Sequence, residues 1–139
     1  MSYADNLTSA AALLRTATRD AKVASPTPWV PERELDTSAG VLRCADGRIV
    51  ADRTYDLSNE PTDLAFLALA NPDLGLAVAS WLDDEAAAYQ AAVTGAHEVW
   101  PDDEVRRTDW LARRERLHPA NVARLIHEAA ARNSVAAAG

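Results

Sequence analysis

Sulfur and glycine are scarce in this chain: one cysteine, Cys44, one methionine and five glycines among 139 residues. A single cysteine excludes a disulfide framework within the chain, so nothing points to an oxidising compartment. Glycines spread singly cannot build a phosphate-cradling loop, and no Gly-x-Ser-x-Gly nucleophile elbow occurs. The three histidines, His97, His118 and His127, leave no pair three or four residues apart, the spacing that sets two metal ligands on one helix face. Neither a metal nor a cofactor is expected. No apolar run approaches the length of a membrane span. The start, Met1-Ser2-Tyr3-Ala4-Asp5, has neither the basic region nor the apolar stretch of a secretory signal. These absences predict a soluble cytoplasmic protein with no membrane partner.

What is present is a chain sized for one domain, with 48% apolar residues. Much of that fraction is alanine, which favours helix but buries little area. Large core-formers are therefore few, and the aromatic residues Trp29, Phe66, Trp81, Tyr89, Trp100 and Trp110 carry weight. The net charge is −7 and unevenly spread. Residues 1–104 hold 7 basic and 18 acidic side chains, whereas residues 105–139 hold 7 arginines and 3 acids. An acidic body with a basic tail can steer a charged partner; the plainer reading is two solvated faces.

Leu7, Ala10, Leu14, Ala17 and Ala21 recur at helical spacing and predict a helix over 4–23, stopped by Ser25-Pro26-Thr27-Pro28. Residues 28–55 read as a small antiparallel sheet of two strands, or of three with Trp29 to Glu34. Its firmest signal is Asp46-Gly47, a type I′ turn that would set Cys44 opposite Ile49 and Leu42 opposite Ala51 on one apolar face. Arg43, Arg48, Asp52, Val41 and Val50 then share the other, mixed face. Residues 61–70 read as a second helix opened by Pro61, with Leu64, Phe66, Leu67 and Leu69 spread around it and expected buried. Asn71-Pro72-Asp73 has the form of a helix cap, opening a third helix to about Thr94 that carries Leu74, Val78, Trp81, Leu82, Tyr89 and Ala92 near one side. Gly95 should break it. Pro101-Asp102-Asp103-Glu104 opens a fourth helix ending near Leu117, and Pro119 a fifth, with fraying over 133–139.

Several groups invite a chemical reading. Cys44, on the expected core face, is more simply a small buried hydrophobe than a reactive thiol. Asp83-Asp84-Glu85 and Asp102-Asp103-Glu104 spread around a helix axis, which suits solvent and the helix dipole better than acid–base chemistry. Arg106, Arg107, Arg113, Arg114, Arg116, Arg124 and Arg132 lie on the last two helices, which have the outline of a helix-turn-helix. Asp109, Glu115 and Glu128 interrupt the patch and the whole chain is acidic, which argues against nucleic acid as a partner.

Pro28-Trp29, the β segment after it, and Asp63-Leu-Ala-Phe-Leu-Ala-Leu-Ala-Asn-Pro72 opening a long helix form one ordered set. Over about residues 5–90 this resembles the ead-type early-region accessory proteins of temperate phages and prophages, through Pro28, Trp29, Ala65, Phe66, Asn71 and Pro72. Thr27 stands where the family usually has glycine. The resemblance implies an early-made phage protein, dispensable for virion assembly, that acts on host physiology, lysogeny or host defence in the host cytoplasm. The residues that carry it have scaffold roles and bring no catalytic residue with them.

The reading is thus an α+β fold: a small antiparallel sheet packed by helices in a core over 1–94, with a C-terminal helical pair over 95–139 packed on it. The expected function is non-enzymatic binding of a host protein, or of a second copy. Trp110, Arg106, Arg107, Arg113, Arg114 and Arg124 are the candidate contacts, and the acidic 83–85 region offers a second surface. Two alternatives stand. One is nucleic-acid binding by the C-terminal arginines. The other is a sponge for a nucleotide signal, using Arg43, Arg48, Arg53 and Tyr55.

Overall fold

The computed structural model of the chain describes residues 1–33, 40–52 and 62–138. Five helices and three strands follow in the order α1 (Tyr3–Ala24), β1 (Val30–Arg33), β2 (Gly40–Arg43), β3 (Ile49–Asp52), α2 (Thr62–Leu69), α3 (Pro72–Val99), α4 (Glu104–Ala112) and α5 (Leu117–Ala138). The strands form one antiparallel sheet in the order β1-β2-β3, and α2 lies against β1 and β2. The fold is α+β, with α4 and α5 as the C-terminal helical pair. No helix among the described residues is long and apolar enough to cross a membrane.

The chain divides into two compact units. One joins Met1–Leu14 to Val78–Gly139; the other is Arg15–Ala77. Residues 95–139 thus share a unit with 1–14 and 78–94, and the divisions fall inside α1 and α3.

In the first unit, helices meet through alanine. Ala4, Leu7, Ala10 and Ala11 of α1, Ala79, Leu82 and Ala86 of α3, and Ala123 of α5 form a buried cluster. Tyr3, Leu14, Val78, Tyr89, Val122 and Ile126 pack against it, partly buried. Methyl side chains allow close helix approach, so the few large residues fill most of the remaining volume. The start of α1 is closed by a reciprocal cap: Asp5 accepts from the Ser2 hydroxyl at 2.7 Å, and the Asp5 N–H donates to the Ser2 hydroxyl at 3.1 Å. These Ser2 bonds hold the Asp5 carboxyl below its usual range.

In the second unit the hairpin departs from the expected turn. Gly47, with φ +85°, is the one residue among those described, glycine or not, with positive φ, so Asp46 cannot take the left-handed place a type I′ turn requires. Instead the Gly47 N–H donates to the Cys44 carbonyl at 2.9 Å and the Cys44 N–H to the Arg48 carbonyl at 3.0 Å. This is a three-residue loop closed by a glycine bulge. Leu42 still faces Ala51, but a shift between Leu42 and Arg43 pairs Ile49 with Arg43 in place of Cys44. A one-residue slip turns a side chain to the other face, and Ile49 is half exposed. The mixed outer face is corrected as well: Val41 is buried together with Leu42 and Cys44, as suits the middle strand of three.

Other expectations need correcting too. Phe66 is 67% exposed and Leu69 75%, so α2 is not buried all round. Only one side of this short apolar helix can face the sheet. Leu74 is half exposed, off the α3 side that buries Leu82. The fifth helix begins at Leu117, ahead of Pro119, and runs to Ala138.

Gly95 does not break α3, which runs through it to Val99. A methyl built at Gly95 would meet nothing within 4 Å. Glycine there loses backbone entropy on folding with no packing in return. Gly95→Ala is expected to stabilise the chain by about 0.4–1 kcal/mol and raise the Tm by a few degrees. A lower Tm in a thermal melt would contradict this.

Candidate functional site

The α3–α4 junction is built by its own backbone needs. Asp103 caps α4, accepting from the Arg106 N–H at 2.9 Å. Arg107 reaches back and donates to the carbonyls of Trp100 and Pro101, closing the end of α3. That folds Trp100 toward α4, where its ring meets Trp110 edge to face, with centroids 5.6 Å apart at 67°. A guanidinium lies at each end of the pair: Arg106 is 5.4 Å from the Trp100 ring, and Arg114 is 3.5 Å from the Trp110 ring. Arg106, Trp100, Trp110 and Arg114 thus form a cation–aromatic stack with an exposed arginine at both ends.

Beside it lies a cleft of about 400 Å³, lined by Tyr3, Glu85, Ala88, Tyr89, Ala92, Arg113, Arg114 and Arg116. Its floor is aromatic: the Tyr3 and Tyr89 rings are 4.8 Å apart and tilted by 53°. Both hydroxyls hold the connection between α4 and α5. The Tyr3 hydroxyl accepts from the Arg116 N–H at 3.1 Å and donates to the Arg116 carbonyl at 3.3 Å. The Tyr89 hydroxyl donates to Glu115 at 3.3 Å. Burial and the nearby Glu115 carboxylate push the Tyr89 phenol up from its ordinary value.

The cleft arginines differ in commitment. Arg116 pairs with Glu85 at 3.0 Å, and the Glu85 side chain is only 18% exposed. Glu85 is therefore not the solvated surface acid that its sequence neighbours suggested. Arg113 pairs with Asp109 at 2.7 Å, one helical turn away, and both side chains are well exposed. Such a pair is weak and readily exchanged. Arg114 has no carboxylate partner among the described residues; its guanidinium carbon lies 3.5 Å from the centroid of the Trp110 ring.

No family model matches the sequence, and no curated protein or solved structure is detectably similar to it. The residues themselves therefore carry the functional argument.

The anticipated contacts split on placement. Trp110, Arg106 and Arg114 belong to the stack, and Arg113 and Arg114 to the cleft. Arg107 is spent on the end of α3, and Arg124 pairs with Glu128 on α5 at 2.6 Å. His127 sits near the Asn6 carbonyl at 3.3 Å. Arg43 and Arg48 serve the hairpin: Arg43 binds Glu32 at 2.9 Å and the Gly47 carbonyl, and Arg48 binds Asp46 at 2.7 Å. Arg48 and the Cys44 thiol together hold the Asp46 carboxyl far below the usual carboxylate range. Arg53 and Tyr55 lie outside the described residues. Among the scaffold positions, Asn71 caps α3 by accepting from the Asp73 N–H at 2.9 Å, Pro72 is buried at its first position, and the Trp29 indole donates to the Ser25 carbonyl at 2.8 Å. Pro28, preceding it, is exposed and follows a cis peptide bond.

Sequence reasoning missed Tyr3, Tyr89 and Trp100 as site residues, and named Glu85 only within the acidic 83–85 surface. Arg106, Trp110 and Arg114 are spaced four apart, a signal that marks three of the four members of the stack. The tyrosines come together only through tertiary packing.

Proposed function

We propose that the chain is a non-enzymatic accessory protein of phage or prophage origin that binds a host protein through α4 and the connection to α5. One observation supports the binding surface above others: the stack Arg106–Trp100–Trp110–Arg114 stands preformed, with charged ends exposed. Tryptophan and arginine dominate binding hot spots because they bring large area and directional hydrogen bonds. Holding them in place beforehand lowers the ordering cost of association. The phage origin, and with it a role in host takeover, lysogeny or anti-defence, rests on the resemblance carried by Pro28, Trp29, Ala65, Phe66, Asn71 and Pro72. Nucleic acid is the weaker candidate, since Arg107, Arg116 and Arg124 already answer carbonyls or carboxylates.

Capture from bacterial cells tests the reading. Tagged wild-type chain should bring down a discrete host protein at fixed stoichiometry in native mass measurement. The double variant Trp110→Ala, Arg114→Glu should lose it by at least about tenfold, as hot-spot losses do. The reading fails if the variant captures equally, or if wild type brings only nucleic acid that added salt releases. A native mass of twice the chain, with nothing else bound, would hand the surface to a second copy.

A further inference from the structure

We infer that the cleft over Tyr3 and Tyr89 is a carboxylate receptor, which takes one aspartate or glutamate side chain of the partner protein onto Arg114 and Arg113. The inference rests on the host-protein reading for where the carboxylate comes from, but its chemistry is argued from the cleft alone.

The geometry favours an anion. A guanidinium presents its N–H groups around its edge, in a fork that matches two carboxylate or phosphate oxygens. At 3.5 Å from the Trp110 centroid the Arg114 guanidinium is close enough to stack on the ring, an arrangement that engages its face and leaves the N–H edge to a ligand. Arg113 lines the same cleft, and its present partner Asp109 is exposed, so a ligand oxygen can replace it at little cost. The tyrosine floor adds a flat apolar surface for the ligand's stem or for a neighbouring ring.

Charge balance chooses between anions. Three arginines line the cleft, but Glu85 is in it, Glu115 sits on Tyr89, and Asp109 sits on Arg113. A polyphosphate would bring several negative charges beside Glu85 and Glu115. One carboxylate adds a single negative charge to three arginines already matched by three acids, the smallest imbalance an anion can bring. The volume, about 400 Å³, holds a side chain and a neighbour.

The test is a titration of the full chain followed by the side-chain N–H resonances of its arginines. The probes are acetyl-Phe-Glu-amide, its isostere acetyl-Phe-Gln-amide, AMP and sodium acetate. The glutamate peptide should shift the Arg114 and Arg113 resonances with a Kd on the order of 1 mM. The glutamine peptide should bind at least about tenfold more weakly, because a neutral amide forgoes the charge-assisted bonds. Arg114→Gln should weaken the glutamate peptide about tenfold with an unchanged far-UV spectrum, whereas Arg43→Gln should leave it unaltered. Equal binding of the two peptides would overturn the inference. So would tighter binding of AMP, acetate matching the glutamate peptide, or no shift by about 20 mM. Failure here and failure of the host reading stay distinct. Cellular capture that persists without peptide binding removes the receptor and leaves the partner; peptide binding without capture does the reverse.

Discussion

Leu82→Ala should cost about 3 kcal/mol, a large share of the stability of a chain this size. Leu82 is fully buried on α3, and the other buried members of its cluster are Leu7 and the alanines 4, 10, 11, 79, 86 and 123. An alanine neighbour has no rotamer to swing into a void. The helices themselves would have to move to close it. The site therefore collapses poorly, and cavity cost adds to the lost transfer energy. Leu82→Met, nearly equal in volume, should cost less than about 1.5 kcal/mol. Urea unfolding checks both: the Leu82→Ala midpoint should fall steeply with the slope unchanged. A loss under about 1 kcal/mol would mean that the alanine layer repacks, and the account of this core would be wrong.

The same alanine richness set how much of the fold was legible. Spacing placed α1, α3 and the C-terminal pair, because periodicity needs only to count apolar positions. It could not say which alanines lie inside. In α1 the stripe was drawn through Ala17, which is exposed, while Thr18 beside it is buried. A methyl group gives nearly the same signal in or out, and a hydroxyl counts against burial even where packing accepts it. Gly95 misled for a related reason: glycine weakens a helix by only about 1 kcal/mol, too little to end one held on both sides. Asp46-Gly47 correctly marked a hairpin. The turn type was decided by Asp46, whose carboxylate accepts from the Cys44 thiol and from the Arg48 N–H and side chain in the three-residue loop.

The candidate site was half legible. Arg106, Trp110 and Arg114 share a helix-type spacing, so their nearness is local. Trp100 joins them only because Arg107 folds the end of α3 back, and Tyr3 meets Arg116 across 113 residues of chain. Contacts of that separation leave no trace in a single sequence. Pairing has the same effect on charge: seven C-terminal arginines looked interchangeable, yet carbonyl capping, ion pairs and ring stacking give them separate duties.

Gly75→Ala should destabilise the chain by about 1–3 kcal/mol, although the same change at Gly95, on the same helix, stabilises it. Helix propensity favours alanine at both positions by up to about 1 kcal/mol, so only surroundings can reverse the sign. At Gly75 an added methyl would lie 2.6 Å from the Thr18 hydroxyl oxygen, 3.2 Å from its methyl and 3.5 Å from its Cβ. Thr18 is buried and two of the three positions on its Cβ carry heavy atoms, so its side chain is restricted in turning out of the way. Relief requires α1 and α3 to separate there, which strains the nearby Lys22–Asp73 ion pair at 2.6 Å. The sharper measurement is a double-mutant cycle with Thr18→Ala. If the clash is the cause, removing the threonine branches should recover part of the loss, giving a favourable coupling of about 0.5 kcal/mol or more between the two sites. Additive losses would place the cost elsewhere, and a Gly75→Ala chain as stable as the parent would show that these helices are not in close contact at Thr18.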